Sequence, residues 1–300
     1  MDLLNQLNNY LEGANLYSKN LALKKNICFV VGLPRSGSTL LQQVLISRYK
    51  IGYISNIVGK FWKSPLAGAI LHNSLDSDNY ISNFFSEFGN TKGPFEPCEF
   101  GWFWRDILDI NKENDFIGEK IDWNKLNDTL QGMANVFGEP IILDTPFVCG
   151  NISKIVNKID QVKVIHLRRD PICVCNSIFA ARVKRFQDIN KYYGAKPKSW
   201  SEIKKINDPI KQVVHQVYDL RKDIESDLKL LREEDICTVE IDSLRKKPAL
   251  VSDQISSFLN VQGLPRNTNY PNFLNRDKVP FFDERFKKHF MDEYKNIFKR

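Results

Sequence analysis

The chain has 300 residues, of which 42% are hydrophobic and 26% charged, with a formal net charge of +7. These are globular averages, so disordered and fibrous classes are excluded, and a chain of this length buries about three-quarters of its unfolded surface without a disulfide or metal staple. The longest apolar run, Ile27 to Leu33, is far short of the roughly 20 residues of a membrane helix. The opening MDLLNQLNNYLEG lacks a basic segment and a continuous apolar core, so it does not read as a signal peptide, and the expectation is a cytoplasmic protein without a membrane span.

Along the chain, Leu3, Leu4, Leu7 and Leu11 fall on one face of an N-terminal helix within residues 1–25. ICFVV (Ile27–Val31) predicts a strand, and Ser38–Tyr49 a helix entered through a Gly-containing turn. From Leu71 to Gly138 the periodicity weakens; Gly, Pro and aromatic residues crowd Gly93–Trp104, the composition of a functional loop. Short strands follow at Pro140–Leu143 and Val162–Leu167. The next helix starts at Asp170-Pro171, with Asp as N-cap and Pro in the first turn, and another such start at Asp208-Pro209 runs to about Leu231. Ile236–Ile241 predicts a strand and Pro248–Leu259 a helix. Strands alternating with helices give a single α/β domain, a parallel sheet of about five strands flanked by helices, with its core in residues 26–260.

Residues 261–300 form a basic C-terminal segment, with nine Lys/Arg against five Asp/Glu from Arg266 onward. Such an excess suits a solvated face or a polyanionic small molecule; no nucleic-acid-binding module is recognisable. The six cysteines are scattered without a CxxC pair, and Cys173 and Cys175 point to different helical faces. With only four histidines besides, no metal site is expected, and the spacing suits a reducing compartment.

The most informative segment is VVGLPRSGSTLLQQVL, Val30 to Leu45. Gly32 and Gly37 have the GxxxxG spacing of a phosphate-cradling loop between a strand and a helix, where backbone N–H groups converge on an anion. Ser36, Ser38 and Thr39 add hydroxyl donors. The Walker lysine position is occupied by Ser38, and the cation is Arg35, within the loop. A second anion site is predicted in VKVIHLRRDPICVCNS (Val162–Ser177), where Arg169 ends a strand and can pair bidentately with a phosphate, with Ser177 two turns into the following helix. Two anion sites on two strand ends suit a nucleotide with phosphates at both ends.

GLPRSGSTLL resembles the 5'-phosphosulfate loop of sulfotransferases that use 3'-phosphoadenosine 5'-phosphosulfate (PAPS). The Arg169-Asp170-Pro171 turn with Ser177 is similar to that family's 3'-phosphate motif. IDSLRKKPALVSDQISSFLNV resembles a structural segment of the same family, with Asp242 where Glu is usual, and Gly52–Pro65 and Gly93–Trp104 look like bacterial members. The resemblance implies a P-loop-like fold, PAPS as sulfate donor without a metal, and a hydroxyl-bearing small molecule or glycan as acceptor. It assigns Arg35, Ser36, Gly37, Ser38, Thr39, Arg169 and Ser177 to the nucleotide, with Arg35 also neutralising charge at the leaving group.

A base must take the acceptor's proton. Glu99 is favoured, with Glu96 and Asp144 as alternatives, while His166 and His72 read as structural. Trp102, Phe103, Trp104, Phe61 and Trp62 suit either core packing or stacking on an acceptor ring. The chain departs from the family pattern at Cys98, where bacterial members often carry His, and at Asp144, where they carry Lys. Asn275-Arg276-Asp277-Lys278 only partly replaces an Arg-Lys-Gly element. These departures motivate a non-catalytic nucleotide- or glycan-binding protein on the same scaffold as one alternative. The strand PIILD, ending at Asp144, motivates a P-loop kinase as another.

Overall fold

The computed structural model describes residues 2–12, 25–75, 80–110, 117–264, 269–274 and 284–298. Five strands, β1 (Ile27–Gly32), β2 (Gly52–Tyr53), β3 (Ile141–Asp144), β4 (Val162–Arg168) and β5 (Ile236–Glu240), form one sheet in the order β2-β3-β1-β4-β5. Every pairing is parallel. Helices cover both faces, which explains why β1 reads as an unbroken apolar run rather than an alternating one. Ile27, Phe29 and Val31 pack with the helices Trp123–Phe137, Pro171–Phe186 and Pro209–Leu228, whereas Cys28 and Val30 pack with Ser38–Ile46 and Pro248–Leu259 on the other side.

Four of the strands and the capped helix starts stand where the sequence places them. The Asp170 carboxylate accepts from the Ile172 N–H, and Asp208 accepts from those of Ile210 and Lys211, with Pro in the first turn of each helix. β2 has only two residues, too short for any period to register, and it is held by its pairing with β3.

Three regions differ from expectation. The stretch read as weakly patterned contains the helices Gly101–Ile107 and Trp123–Phe137, and Pro65–Ser74 precedes it. Trp123–Phe137 is capped by Asp122, which accepts from the Lys125 N–H, and buries Leu126, Leu130, Met133 and Ala134 at helical spacing. Its buried face also carries Thr129 and Gln131, which dilute the apolar period. In the basic C-terminal segment, Glu284–Phe298 is an amphipathic helix, with Phe290 buried and both Phe286 and Phe290 edge-on to Phe179. The N-terminal leucine stripe does not enter the core: Leu3 and Leu7 are exposed. The helix Asp2–Glu12 is instead docked by buried Asn8, whose amide donates to the Lys60 carbonyl (2.8 Å) and accepts from the Lys63 N–H (3.1 Å).

Candidate active site

The loop after β1 is built on two glycines with different tasks. At Gly32 a Cβ would lie 2.5 Å from the Leu167 carbonyl oxygen, so the close approach of β4 requires glycine there. Gly37 has φ +99° and caps the helix Ser38–Ile46 from the left-handed region. Between them Arg35 itself has φ 69°, unusual for a residue with a side chain. That turn sends the side chain across to β4's helix, where Arg35 Nε donates to Ser177 Oγ at 3.3 Å. In return Arg169 Nη1 donates to the Arg35 carbonyl at 2.5 Å. The two predicted anion motifs, 142 residues apart at Arg35 and Ser177, are therefore one site, because β1 and β4 are sheet neighbours.

This site opens into a cavity of about 650 Å³ whose wall includes Arg35 to Thr39, Glu99, Asp144, Arg169 and Ser177. Position outside the carboxyl ends of parallel strands is where open α/β sheets bind ligands. Sequence reasoning missed Arg105, Arg185, Tyr193, Lys196, Lys198 and Arg245, which also line it. Arg185 carried a usable signal, lying eight residues beyond Ser177 on the same helix; Arg245 carried none, since it arrives from the segment after β5. Burial lowers the pKa of Arg35, Arg169 and Arg245, the last to about 10; the charge of Arg169 adds to the effect on both other arginines. Arginine stays protonated through such shifts, so the crowding stores repulsion that a polyanion relieves.

Two carboxylates face the cations. Glu99 opens onto the cavity yet is walled in by protein, and this burial raises its pKa against the pull of Arg35 and Arg185. Asp144, at the end of β3, is pushed up to about 7 by burial and then by the charge of Glu99, while a hydrogen bond from Ser38 opposes the shift. The two carboxylates are therefore electrostatically linked, the charge of Glu99 making ionisation of Asp144 harder.

Glu96 lies apart from the other two candidate carboxylates. It is completely buried and does not line the cavity. Its carboxylate accepts from Gln43 Nε2 (2.7 Å), Tyr80 Oη (2.7 Å), Ser82 Oγ (2.8 Å) and the Asn83 N–H (2.8 Å). Gln43 sits on the helix that follows the phosphate loop, so Glu96 ties that helix to residues 80–83. Beyond them the cavity wall continues through Phe84, Phe88 and Gly89. Phe88 stacks on Arg35, with the guanidinium 5.3 Å from the ring centroid, and Gly89 lies against Glu99, whose Oε1 would be 2.9 Å from a Cβ at that position. Glu96 holds the wall from behind and does not reach the cavity lining.

The histidines lie outside this cavity. His72 is buried, with Nδ1 2.8 Å from Ser55 Oγ and Tyr53, Phe95 and Phe137 edge-on around its ring. His166 lines a separate cavity of about 390 Å³, and burial, helped by Arg168, lowers its pKa to about 4. Phe103 and Trp104 are core residues, while Trp102 is exposed. Cys98 is engaged with the Ser55 carbonyl at 3.4 Å. Asn275 to Lys278 lie outside the described residues. Among the described residues no group of three His, Cys, Asp or Glu could hold a metal ion, and no helix is long and apolar enough to cross a membrane.

A parallel sheet with a glycine-framed loop after β1 and a second arginine just beyond the neighbouring β4 defines an α/β protein of P-loop-like architecture. Within that class, the sequence model of the Sulfotransferase family matches residues 28–265, and the chain belongs to this family, whose reaction is sulfuryl transfer. Among solved structures it is similar to sulfotransferase STF9 from Mycobacterium avium, with 11% identity, 86% of this chain and 71% of that chain covered, and a TM-score of 0.54. Sulfotransferase STF1 from Mycobacterium tuberculosis is 11% identical, with 84% and 73% covered and a TM-score of 0.53. Both likenesses concern the fold. No curated protein sequence matches this chain.

Proposed function

We propose that the protein transfers a sulfuryl group from PAPS to a hydroxyl of a small-molecule or glycan acceptor. The observation that carries this reading is the junction of Arg35, Arg169 and Ser177, where a lone strand–loop–helix phosphate site is joined by a second cation from the neighbouring strand. A donor with phosphates on both the 5' and 3' sides of its ribose matches two such sites side by side. Phosphate oxygens of the 5' group fall to the loop N–H groups, Ser38 and Thr39, and the 3'-phosphate to Arg169 and Ser177.

In the transfer, the acceptor oxygen bonds to sulfur as the bond from sulfur to the bridging phosphate oxygen breaks. The electron pair of that bond stays on the phosphate, where Arg35 offsets the growing charge. The acceptor proton passes to Glu99, which opens onto the cavity; Asp144, bonded to Ser38, links the carboxylate pair to the phosphate loop. A base with a raised pKa suits work near neutral pH. Binding of the donor is tested by thermal shift with adenosine 3',5'-bisphosphate, 5'-AMP and ATP–Mg²⁺. The bisphosphate should stabilise most, and preference for ATP–Mg²⁺ favours a kinase. Transfer of radiolabelled sulfate from PAPS onto fractionated extract then separates an enzyme from a binding protein.

A further inference from the structure

The cavity has a flank that the nucleotide leaves unused. On the helix Gly101–Ile107, Gly101 and Arg105 face the cavity one turn apart, and Phe103 and Trp104 are buried behind it. With 3.6 residues per turn, Trp102 projects roughly 60° from Arg105, between the cavity side and solvent. It is 63% exposed, a rare state for the largest apolar side chain. Trp62, half-buried, stands beside it with ring centroids 6.4 Å apart and planes inclined by 38°. Trp102 is three positions along the chain from Glu99, so their Cα atoms are at most ~11 Å apart. One or two sugar rings bridge such a span.

We infer that Trp102 and Trp62 form an acceptor platform at the rim of the cavity, and that the acceptor is a carbohydrate whose ring lies on them while its hydroxyl reaches Glu99. This rests on the sulfotransferase reading of the cavity. The chemistry of the flank selects a sugar over a phenol. A phenol gains most in an enclosed apolar slot, whereas this platform is open to solvent and bordered by Arg105 and the polar cavity. A sugar ring has an apolar C–H face for an aromatic surface and a rim of hydroxyls for polar neighbours. The apolar face of an exposed indole gains by being covered, while its N–H can stay at the solvated edge.

The test uses the full chain saturated with adenosine 3',5'-bisphosphate on an array carrying neutral and acidic oligosaccharides, phenolic glycosides' free aglycones and lipid head groups. Wild type should be retained on a set of oligosaccharides. Trp102→Ala, at an exposed position that does not threaten folding, should weaken that retention roughly tenfold, with Trp62→Ala weaker in effect. Affinity for the bisphosphate, measured by calorimetry, should stay within twofold in both variants. Retention on phenols or lipid head groups in place of sugars overturns the inference, as does sugar binding indifferent to Trp102→Ala or no sugar retained at all. Failure of the wild type to bind the bisphosphate brings down the sulfotransferase reading instead, so the two failures are distinguishable.

Discussion

The ends of β1 and β4 and the wall running from Tyr80 to Ile107 meet at the same cavity but are made in opposite ways. At the strand ends, each anion contact comes from a short contiguous motif whose backbone does most of the work: two glycines, one left-handed arginine and a capped helix start. In the wall, Glu96 and Glu99 are three residues apart in one aromatic segment, yet one is sealed into a hydrogen-bond cluster and the other opens onto the cavity. Residue type and spacing suffice to locate the loop that lines the cavity; for the carboxylates, the same residue type takes two unrelated positions depending on what packs around it.

The largest effect that tests this contrast belongs to Glu99. Glu99→Gln keeps shape and hydrogen bonding but cannot take a proton, so kcat should fall by on the order of 10²–10⁴ with bisphosphate affinity nearly unchanged. Near-normal turnover in this variant would remove Glu99 as base. In the wild type, kcat should rise with pH as Glu99 ionises, at a pH above that of an ordinary glutamate because its pKa is raised.

Asp144 gives a stability signature. Its folded-state pKa is raised from 3.8 to about 7, so between these values the folded protein holds a proton that the unfolded chain releases. Its contribution is therefore fully present below about pH 4 and lost as pH rises through 7. Asp144→Asn carries no such loss. Above pH 7 it should be more stable than wild type by on the order of 4 kcal/mol, seen as a higher Tm, and the gap should close toward pH 4. A pH-independent difference between the two melting curves contradicts the assigned shift.

Arg169→Ala should weaken adenosine 3',5'-bisphosphate by about 1.5–3 kcal/mol, the worth of a charge-assisted bond, while 5'-AMP is affected far less. Equal losses for both ligands would break the division of labour between the two motifs. Glu96→Gln, by contrast, should cost about 1–3 kcal/mol of stability by leaving a buried donor unmatched, with kcat within a few-fold of wild type once folded. A collapse of kcat at unchanged stability returns Glu96 to the chemistry. The smallest effect is expected from EDTA, which should leave sulfate transfer intact; loss of activity restored by Mg²⁺ would favour the kinase-like alternative.

The sequence by itself determined the parallel α/β class, four of the five strands, the capped helix starts and the loop residues that line the cavity. These depend on local backbone geometry: apolar runs buried on both faces, Asp-Pro starts, and glycines where no Cβ fits. It did not determine β2, whose two residues exist as a strand only against β3, nor the helix Trp123–Phe137, whose buried polar residues blur its period. It also left Arg185 and Arg245 unassigned, and it favoured Glu99 over Glu96 without showing what surrounds either carboxylate. Tertiary structure decided these, because burial and charge are set by neighbours distant in the chain. Gln43, Tyr80 and Ser82 satisfy one carboxylate inside the wall, while Arg35 and Arg185 act on the charge of the other, which faces the cavity.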